Sequence, residues 1–232
     1  LKPLIIYKLY IFWYYIRIMK KVIQKIKFDI VTIFPKIFDS YFNESLFKRA
    51  KENKILDIKV HDLRDYTEDK HKTVDDSPYG GGPGMVLKVE PVFKAIKKIK
   101  TKVKKSKSRV ILFSTRGNKL DSEMAKRLAK YDRLILICGR YEGVDERVAQ
   151  NIADEEISIG DYVLSGGEIP AMVLVEAVSR FIPSFLGKYE SLEDVKGYYP
   201  TYTRPEVFNK WKVPGELLSG NHQKIKEWRE KN

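Results

Sequence analysis

The strongest constraint on the fold is a set of short apolar segments that alternate with amphipathic ones. The apolar segments FDIVTIF, RVILFS and RLILIC have the length and composition of strands buried on both faces, and ILDIKVHDL alternates as a strand does. Helical spacing is found in KIFDSYFNESLFKRAKEN, VEPVFKAIKKIK, SEMAKRLAKY and PAMVLVEAVSRFI. In the first of these, one predicted helix stripe contains Ile37, Phe38, Tyr41, Phe42 and Leu46. The alternation predicts an α/β fold, a mainly parallel sheet with helices on both faces.

Length and cysteine content limit the classes of protein further. A chain of 232 residues can bury a substantial core as one large or two small domains. The single cysteine, Cys138, excludes an internal disulfide and favours a reducing, cytoplasmic location. One cysteine and three scattered histidines exclude a structural zinc site of the usual kind, and we predict no metal-ligating residues.

The net charge of +13 makes a polyanionic partner such as a nucleic acid plausible. A lysine-rich, solvated surface without a partner is the alternative, and charge alone does not separate the two.

The segment 1–18, LKPLIIYKLYIFWYYIRI, is apolar and aromatic. Lys8 and Arg17 interrupt it, and it is short for a membrane span, so we expect no membrane attachment. A reading frame extended upstream of Met19 is the favoured interpretation, with a membrane anchor as the alternative.

Three glycine clusters follow strands or a long polar loop: PYGGGPGM (78–85), CGRYEG (138–143) and GDYVLSGGE (160–168). None has the spacing of a dinucleotide-binding or P-loop motif. Ligands of open α/β sheets bind beyond the carboxyl ends of strands, where glycine lets backbone groups approach a flat ligand. The clusters therefore indicate a ligand site, with tight turns as the alternative for any one of them.

Several long, ordered motifs resemble the bacterial tRNA (guanine-N1)-methyltransferase family of the SPOUT superfamily. They are DDSPYGGGPGMVLKVEP, CGRYEGVDERV, SIGDYVLSGGEIPAMVLVEAVSRFIPSFLG, YTRPEVF and LLSGNH, spread from about Phe28 to Trp228. The resemblance implies a C-terminal trefoil knot in the sheet domain, which periodicity does not predict. It also implies a methyltransferase domain at 19–184, a linker at 185–204 and a short helical tRNA-binding domain at 205–232, shorter than is usual in the family.

The same resemblance implies S-adenosyl-L-methionine as cofactor, bound in a bent shape by the glycine-containing loops. Bulk at Gly166 or Gly167 is expected to block the cofactor more than it harms folding. The positions that match the family's cofactor site are Leu112, Phe113, Ser114, Gly139, Tyr141, Glu142, Gly143, Ser158, Ile159, Gly160, Asp161, Tyr162, Val163, Leu164, Gly166, Gly167 and Pro170.

Methylation of guanine N1 requires a base for the N1 proton and a donor for the charge that spreads to O6. The family's base is usually an aspartate in the linker, and the matching position here is Glu190, with Asp194 as the alternative. Arg180 matches the arginine that stabilises the target guanine, although it also suits a helix C-terminus. Magnesium is a further cofactor implied by the resemblance alone.

The implied substrate is the guanine on the 3′ side of the anticodon, in the anticodon stem-loop of tRNA, and the implied assembly is a homodimer. Candidate phosphate contacts are Lys70, His71, Lys72, Arg204 and the lysine-rich segment 97–107. Two other functions remain open: methylation of another base or of a ribose hydroxyl, and RNA binding without catalysis.

Overall fold

The computed structural model describes residues 25–101, 106–186 and 199–232. The chain divides into two compact units, one ending at residue 186 and the other beginning at residue 187. The predicted domain limits at 19–184, 185–204 and 205–232 remain predictions, and the segment 1–18 lies outside the described residues.

The first unit is built on a parallel sheet. Among the described residues it has five strands in the order β2-β1-β6-β5-β7, and every pairing in it is parallel. Its strands are β1 (Ile26–Thr32), β2 (Leu56–Asp62), β5 (Ser108–Lys119), β6 (Arg133–Ile137) and β7 (Glu155–Ser158), while β3 (Asp75–Asp76) and β4 (Val86–Leu87) form a small antiparallel ladder. The predicted parallel sheet is confirmed, but β7 was not predicted, because its sequence EEIS is short and polar.

Helices connect the strands. They are α1 (Asp39–Phe42), α2 (Ser45–Glu52), α3 (Val89–Thr101), α4 (Ser122–Leu128), α5 (Glu146–Asn151) and α6 (Glu168–Ser179), with 3-10 helices at Pro35–Phe38 and Leu63–Tyr66. The prediction of one continuous helix before β2 is wrong. Ser45 has a φ of 46°, which breaks the helix, so Phe38 and Phe42 are buried whereas Ile37 and Tyr41 stay exposed.

The sheet is covered on both faces, as the apolar strand composition predicts. Phe28 and Leu134 point to the face covered by α2, α4 and α6, while Val31 and Ile135 point to the face covered by α3 and α5. These side chains are buried, and they alternate along each strand because successive residues face opposite sides. Covering both faces leaves the strand ends as the place where loops can form a site.

A buried polar cluster joins three neighbouring strands. Asp29 on β1 accepts from Arg133 on β6 at 2.5 Å and contacts the His61 ring on β2 at 2.7 Å. The other ring nitrogen of His61 lies 2.9 Å from the Tyr66 hydroxyl. Asp29 and Arg133 are 5% and 9% exposed, so this ion pair is largely shielded from water. Removal of either side chain would leave the other charge buried without a counter-ion.

The second unit is small and has little buried surface. It contains the hairpin β8 (Val207–Phe208) and β9 (Trp211–Lys212), then α7 (Gly215–Leu218) and α8 (His222–Lys231). The predicted capped helix at the C-terminus is confirmed, because the Asn221 side chain accepts from the backbone N–H groups of Gln223 and Lys224 at 3.0 and 3.2 Å. Within the described residues, no helix has the length and apolar character needed to cross a membrane.

Replacement of Asp29 by Ala should lower the free energy of unfolding by about 3–5 kcal/mol, because it leaves the buried Arg133 guanidinium without its counter-ion. Urea denaturation followed by circular dichroism measures the loss. The control, Glu123→Ala, removes an exposed carboxylate 3.5 Å from Lys126 and should leave the denaturation midpoint nearly unchanged. Equal, small effects of the two substitutions would contradict the structural role of the cluster.

Candidate active site

Three chain segments at the carboxyl edge of the sheet enclose a cavity of about 480 Å³. They are the end of β5, the loop 138–145 after β6 and the loop 159–167 after β7. This volume is in the range of small-molecule sites, and the position is the one where open α/β sheets bind their ligands.

The end of β5 reaches the cavity through an irregularity in the sheet. Phe113 and Asn118 both align with Ile157 of β7, so residues 114–117 leave the ladder between them. A Cβ at Gly117 would lie 2.5 Å from the backbone carbon of Glu156, so only glycine lets this excursion close against β7. The excursion places Ser114, Thr115 and Arg116 along one side of the cavity.

The loops after β6 and β7 are joined by their backbones. The Gly167 amide donates to the Gly139 carbonyl at 2.9 Å, and Arg140 and Gly166 form a bridge. A Cβ at Gly167 would lie 2.7 Å from the Cα of Cys138, which is rigid backbone. Bulk at Gly167 would therefore strain the fold, because the first atoms that it meets belong to the residue after β6. The expectation that bulk at Gly166 or Gly167 blocks the cofactor more than it harms folding remains a prediction.

Next to the contact between these two loops lies the buried carboxylate of Glu168, at the start of α6. It is 1% exposed, accepts from the Thr32 hydroxyl at 2.7 Å and from the Arg140 Nε at 2.8 Å. Burial, and then the charge of Glu168, raise the pKa of the Cys138 thiol well above its usual value, against the opposing effect of Arg140. Cys138 therefore stays a neutral thiol and acts as a core residue.

The third glycine cluster, 78–85, is attached to the cavity loop after β6. The Glu142 amide donates to the Met85 carbonyl at 3.0 Å, and the Leu87 amide donates to the Gly143 carbonyl at 3.0 Å. Gly84 has a φ of +76°, and a Cβ there would lie 2.5 Å from the Glu142 side chain. All three glycine clusters thus meet at one edge of the sheet, with Tyr79 fully exposed on the outermost.

The motifs in these loops match one known family. A family model described as tRNA (Guanine-1)-methyltransferase TrmD matches residues 26–232, nearly the whole described chain. The chain belongs to this family.

Individual relatives agree with the match. The tRNA (guanine-N(1)-)-methyltransferase of Dictyoglomus turgidum is 54% identical over 211 residues, covering 89% of this chain and 84% of that protein. That of Geobacter sulfurreducens is 51% identical over 208 residues, covering 88% and 84%. The crystal structure of tRNA (m1G37) methyltransferase from Aquifex aeolicus has a TM-score of 0.76 and 42% identity, covering 88% of this chain and 87% of that one.

All the cofactor-binding residues predicted from the resemblance to this family line the cavity, except Asp161. Asp161 instead forms an ion pair with Lys119. The sequence reasoning missed several cavity residues, of which the charged ones are Arg116, Arg140, Glu146 and Glu156. Arg116 and Arg140 stand inside the motifs FSTRG and CGRYEG and could have been found there, but Glu156 belongs to the unpredicted β7.

The predicted catalytic residues are only partly described. Arg180 follows the last residue of α6, and its Nη1 lies 3.6 Å from the Glu176 carboxylate one turn earlier. Glu190 and Asp194 lie outside the described residues. The described parts of the chain contain no cluster of His, Cys, Asp or Glu that could hold a metal ion, so the use of magnesium remains a prediction.

Replacement of Gly167 by Ala should lower the free energy of unfolding by about 1–3 kcal/mol, because the added methyl group overlaps the Cys138 backbone. Thermal and urea denaturation measure the loss. Gly215→Ala is the matched control, since its Cβ meets nothing within 4 Å. A Gly167→Ala protein as stable as the wild type would show that the two loops can separate without cost.

Proposed function

We propose that this chain is an S-adenosylmethionine-dependent methyltransferase that methylates N1 of the guanine on the 3′ side of the anticodon in tRNA. The observation that carries the proposal is a cavity formed by the glycine-containing loops 138–145 and 159–167, both of which lie within the residues that match this tRNA methyltransferase family. The named relatives with this activity cover most of the chain.

The cavity has room for S-adenosylmethionine, and glycines in its lining leave parts of the backbone uncovered by side chains. At Gly166 a Cβ would overlap the Arg140 side chain, and at Gly160 it would overlap the Tyr162 ring, so the chain itself leaves no room for side chains there. In this proposal, backbone amide and carbonyl groups of the loop 159–167 pair with the edge of the adenine. When bound, S-adenosylmethionine supplies an electrophilic methyl group on its sulfonium sulfur.

The chain's own residues then handle the proton and the charge of the guanine. In this proposal Glu190 removes the N1 proton, with Asp194 as the alternative base. Arg180 donates to the guanine O6, where negative charge accumulates as N1 loses its proton. The Glu176 carboxylate holds the Arg180 guanidinium from one side and accepts from the Tyr41 hydroxyl at 3.0 Å on the other. Burial, and then the hydrogen bond to Glu176, raise the pKa of Tyr41 to about 12, which keeps this hydroxyl a donor.

Recognition of tRNA would use exposed basic and aromatic side chains. Lys70, His71, Lys72 and Arg204 are all exposed, as phosphate contacts require. In the second unit, Phe208 is 59% and Trp211 71% exposed, and aromatic surfaces of this kind stack on unpaired bases. An anticodon-loop base is partly unstacked already, so placing it in a protein pocket costs little.

An apolar surface on the first unit supports the expected homodimer. Ile169 and Val173 project from one side of α6 and are 55% and 41% exposed. Tyr41 of α1, joined to α6 through Glu176, extends this surface, as does Phe34 beside Arg140. Exposed apolar side chains grouped in this way suit a contact with a second copy of the chain. A cytoplasmic location, like the dimer, remains a prediction.

Methyl transfer from labelled S-adenosylmethionine tests the reaction. We expect transfer to an unmodified tRNA transcript with guanine 3′ of the anticodon and none to a twin transcript with adenine there. Glu190→Gln should slow transfer by about 10²–10⁴-fold, the usual range for removal of a general base, and Asp194→Asn should have little effect.

The outcomes separate the alternatives. A slow Asp194→Asn protein with an unaffected Glu190→Gln protein would move the base to Asp194. Transfer to both transcripts would point to another base or to a ribose hydroxyl. If tRNA and S-adenosylmethionine both bind but no methyl group is transferred, the protein is an RNA-binding relative without catalysis.

Replacement of Val173 by Glu should convert the dimer to a monomer, because it places a charge at the centre of the apolar surface. Light scattering coupled to size-exclusion chromatography measures the mass in solution. Phe93→Glu changes an exposed apolar residue of α3 on the opposite face of the sheet and should leave the dimer intact. A wild-type protein of single-chain mass at micromolar concentration would refute the dimer.

A further inference from the structure

A second cavity, of about 370 Å³, lies beside β2, a strand at one edge of the described sheet. It is lined by parts of β1 and β2, the 3-10 helix Leu63–Tyr66, the end of α3 and Arg133 at the start of β6. None of these residues lines the first cavity. The volume is in the range of small-molecule sites, and no step of the proposed methyl transfer uses this space.

The sheet beside this cavity is polar, whereas a parallel sheet covered by helices is normally apolar. Five polar side chains of β1 and β2 point to the α3 face here: Lys27, Asp29, Asp57, Lys59 and His61. Phe28 and Ile58, which alternate with them, pack in the core on the other face. Solvent exposure does not account for the polar positions, because the side chains of Asp29 and His61 are only 7% and 9% exposed. Polar residues at positions that the fold would fill with apolar ones are typical of a functional site.

The charges in this cavity are not balanced within the protein. Each of the four carboxylates in the lining has a partner: Asp29 with Arg133, Asp57 with Lys27, Asp62 with the Arg64 amide and Asp65 with Lys72. In the parts of the chain that the structure describes, Lys59 and Lys98 form no ion pair, and both are exposed. Lys98 instead lies over the Tyr66 ring, with its Nζ 5.3 Å from the ring centroid. Two ammonium groups are therefore available to an anionic ligand.

The chemistry of the lining indicates the class of anion. Lysine binds phosphate as a point charge with three donors. The cavity is larger than a phosphate ion, and the His61 ring beside it is held by Asp29 at 2.7 Å and by the Tyr66 hydroxyl at 2.9 Å. This part of the lining is therefore preformed and polar. A phosphate ester with a polar body, such as a nucleotide, matches both features.

We propose that this cavity binds a nucleotide, with Lys59 and Lys98 holding its phosphate group and with its sugar and base against Tyr66 and His61. The nucleotide is either free or one unit of an RNA strand, since both carry the same phosphate chemistry. The site does not depend on the proposed methyl transfer, because the two cavities share no residue.

Nuclear magnetic resonance of the histidine rings at constant pH tests the site. The chain has three histidines, and of these only His61 lines this cavity. The probe is uridine 5′-monophosphate, whose base is neither the adenine of the cofactor nor the guanine of the proposed substrate. It should shift the His61 Hε1 signal in a saturable way and leave the signal of His222, in the second unit, unchanged. Uridine, which lacks the phosphate, should cause no saturable shift. Spectra of His71→Gln and His222→Gln assign the signals.

Substitution of the two lysines tests the phosphate contact. Lys59→Gln and Lys98→Gln should each weaken the binding of uridine 5′-monophosphate about tenfold or more, as the loss of a charge-assisted contact does. Both side chains are exposed, so these variants should fold as the wild type does. Lys126→Gln removes an exposed lysine of α4, on the other face of the sheet, and should leave binding unchanged.

A hexauridylate RNA separates the two sources of the phosphate. If it binds at least as tightly as the mononucleotide and Lys59→Gln weakens both, the ligand is one unit of an RNA strand. If it binds more weakly or not at all, the ligand is a free nucleotide.

Other results overturn the proposal. The absence of a saturable His61 shift with both phosphate-containing probes would do so, as would equal shifts with uridine and uridine 5′-monophosphate. If Lys59→Gln and Lys98→Gln weaken binding no more than Lys126→Gln does, the phosphate responds to the overall charge of the protein and not to this cavity.

Discussion

The contact between Gly167 and the end of β6 decides the form of the site. It brings the loop after β7 against the loop after β6 with a backbone hydrogen bond of 2.9 Å and no side chain between them. Because α6 begins at the next residue, the same contact sets the position of Glu168 and of the helix that covers one face of the sheet. A cavity with bare backbone on two sides is the direct consequence.

The charges of the first unit are arranged in two ways that serve different purposes. Asp29 with Arg133, and Glu168 with Arg140 and Thr32, are buried and joined by hydrogen bonds, so they fix strands and loops relative to one another. Arg116 and Glu146 are more exposed at the cavity, where the Arg116 Nη2 lies 2.7 Å from the Glu146 carboxylate and 3.7 Å from that of Glu156. These charges at the cavity are therefore separate from the buried ones that hold the strands and loops together.

The proposed function depends on sequence motifs in the loops after β5, β6 and β7, which line one cavity. Family membership rests on matches that span nearly the whole chain, and two of the three glycine clusters within the matched residues line the cavity. In the chemistry that we propose, the cavity of the first unit binds the cofactor, and Glu190 or Asp194 supplies the base. The exposed apolar side of α6 carries Val173 and Glu176 on neighbouring turns, so the surface proposed for dimer formation adjoins the side chain that holds Arg180.

The sequence by itself determined the fold class, because continuous apolar strands that alternate with helical stripes are typical of a parallel sheet covered on both faces. It also identified the family and most of the residues that line the cavity, since these stand in long ordered motifs. The tertiary structure alone decided the rest. A backbone turn at Ser45 divided the predicted first helix, and the short polar segment 155–158 became β7, the strand beside β5 at one edge of the described sheet. Glu156 gained its place in the cavity from that pairing, and Gly167 its structural role from contact with a residue 29 positions away in the chain, Cys138. Such contacts depend on how distant segments approach one another, which local periodicity does not encode.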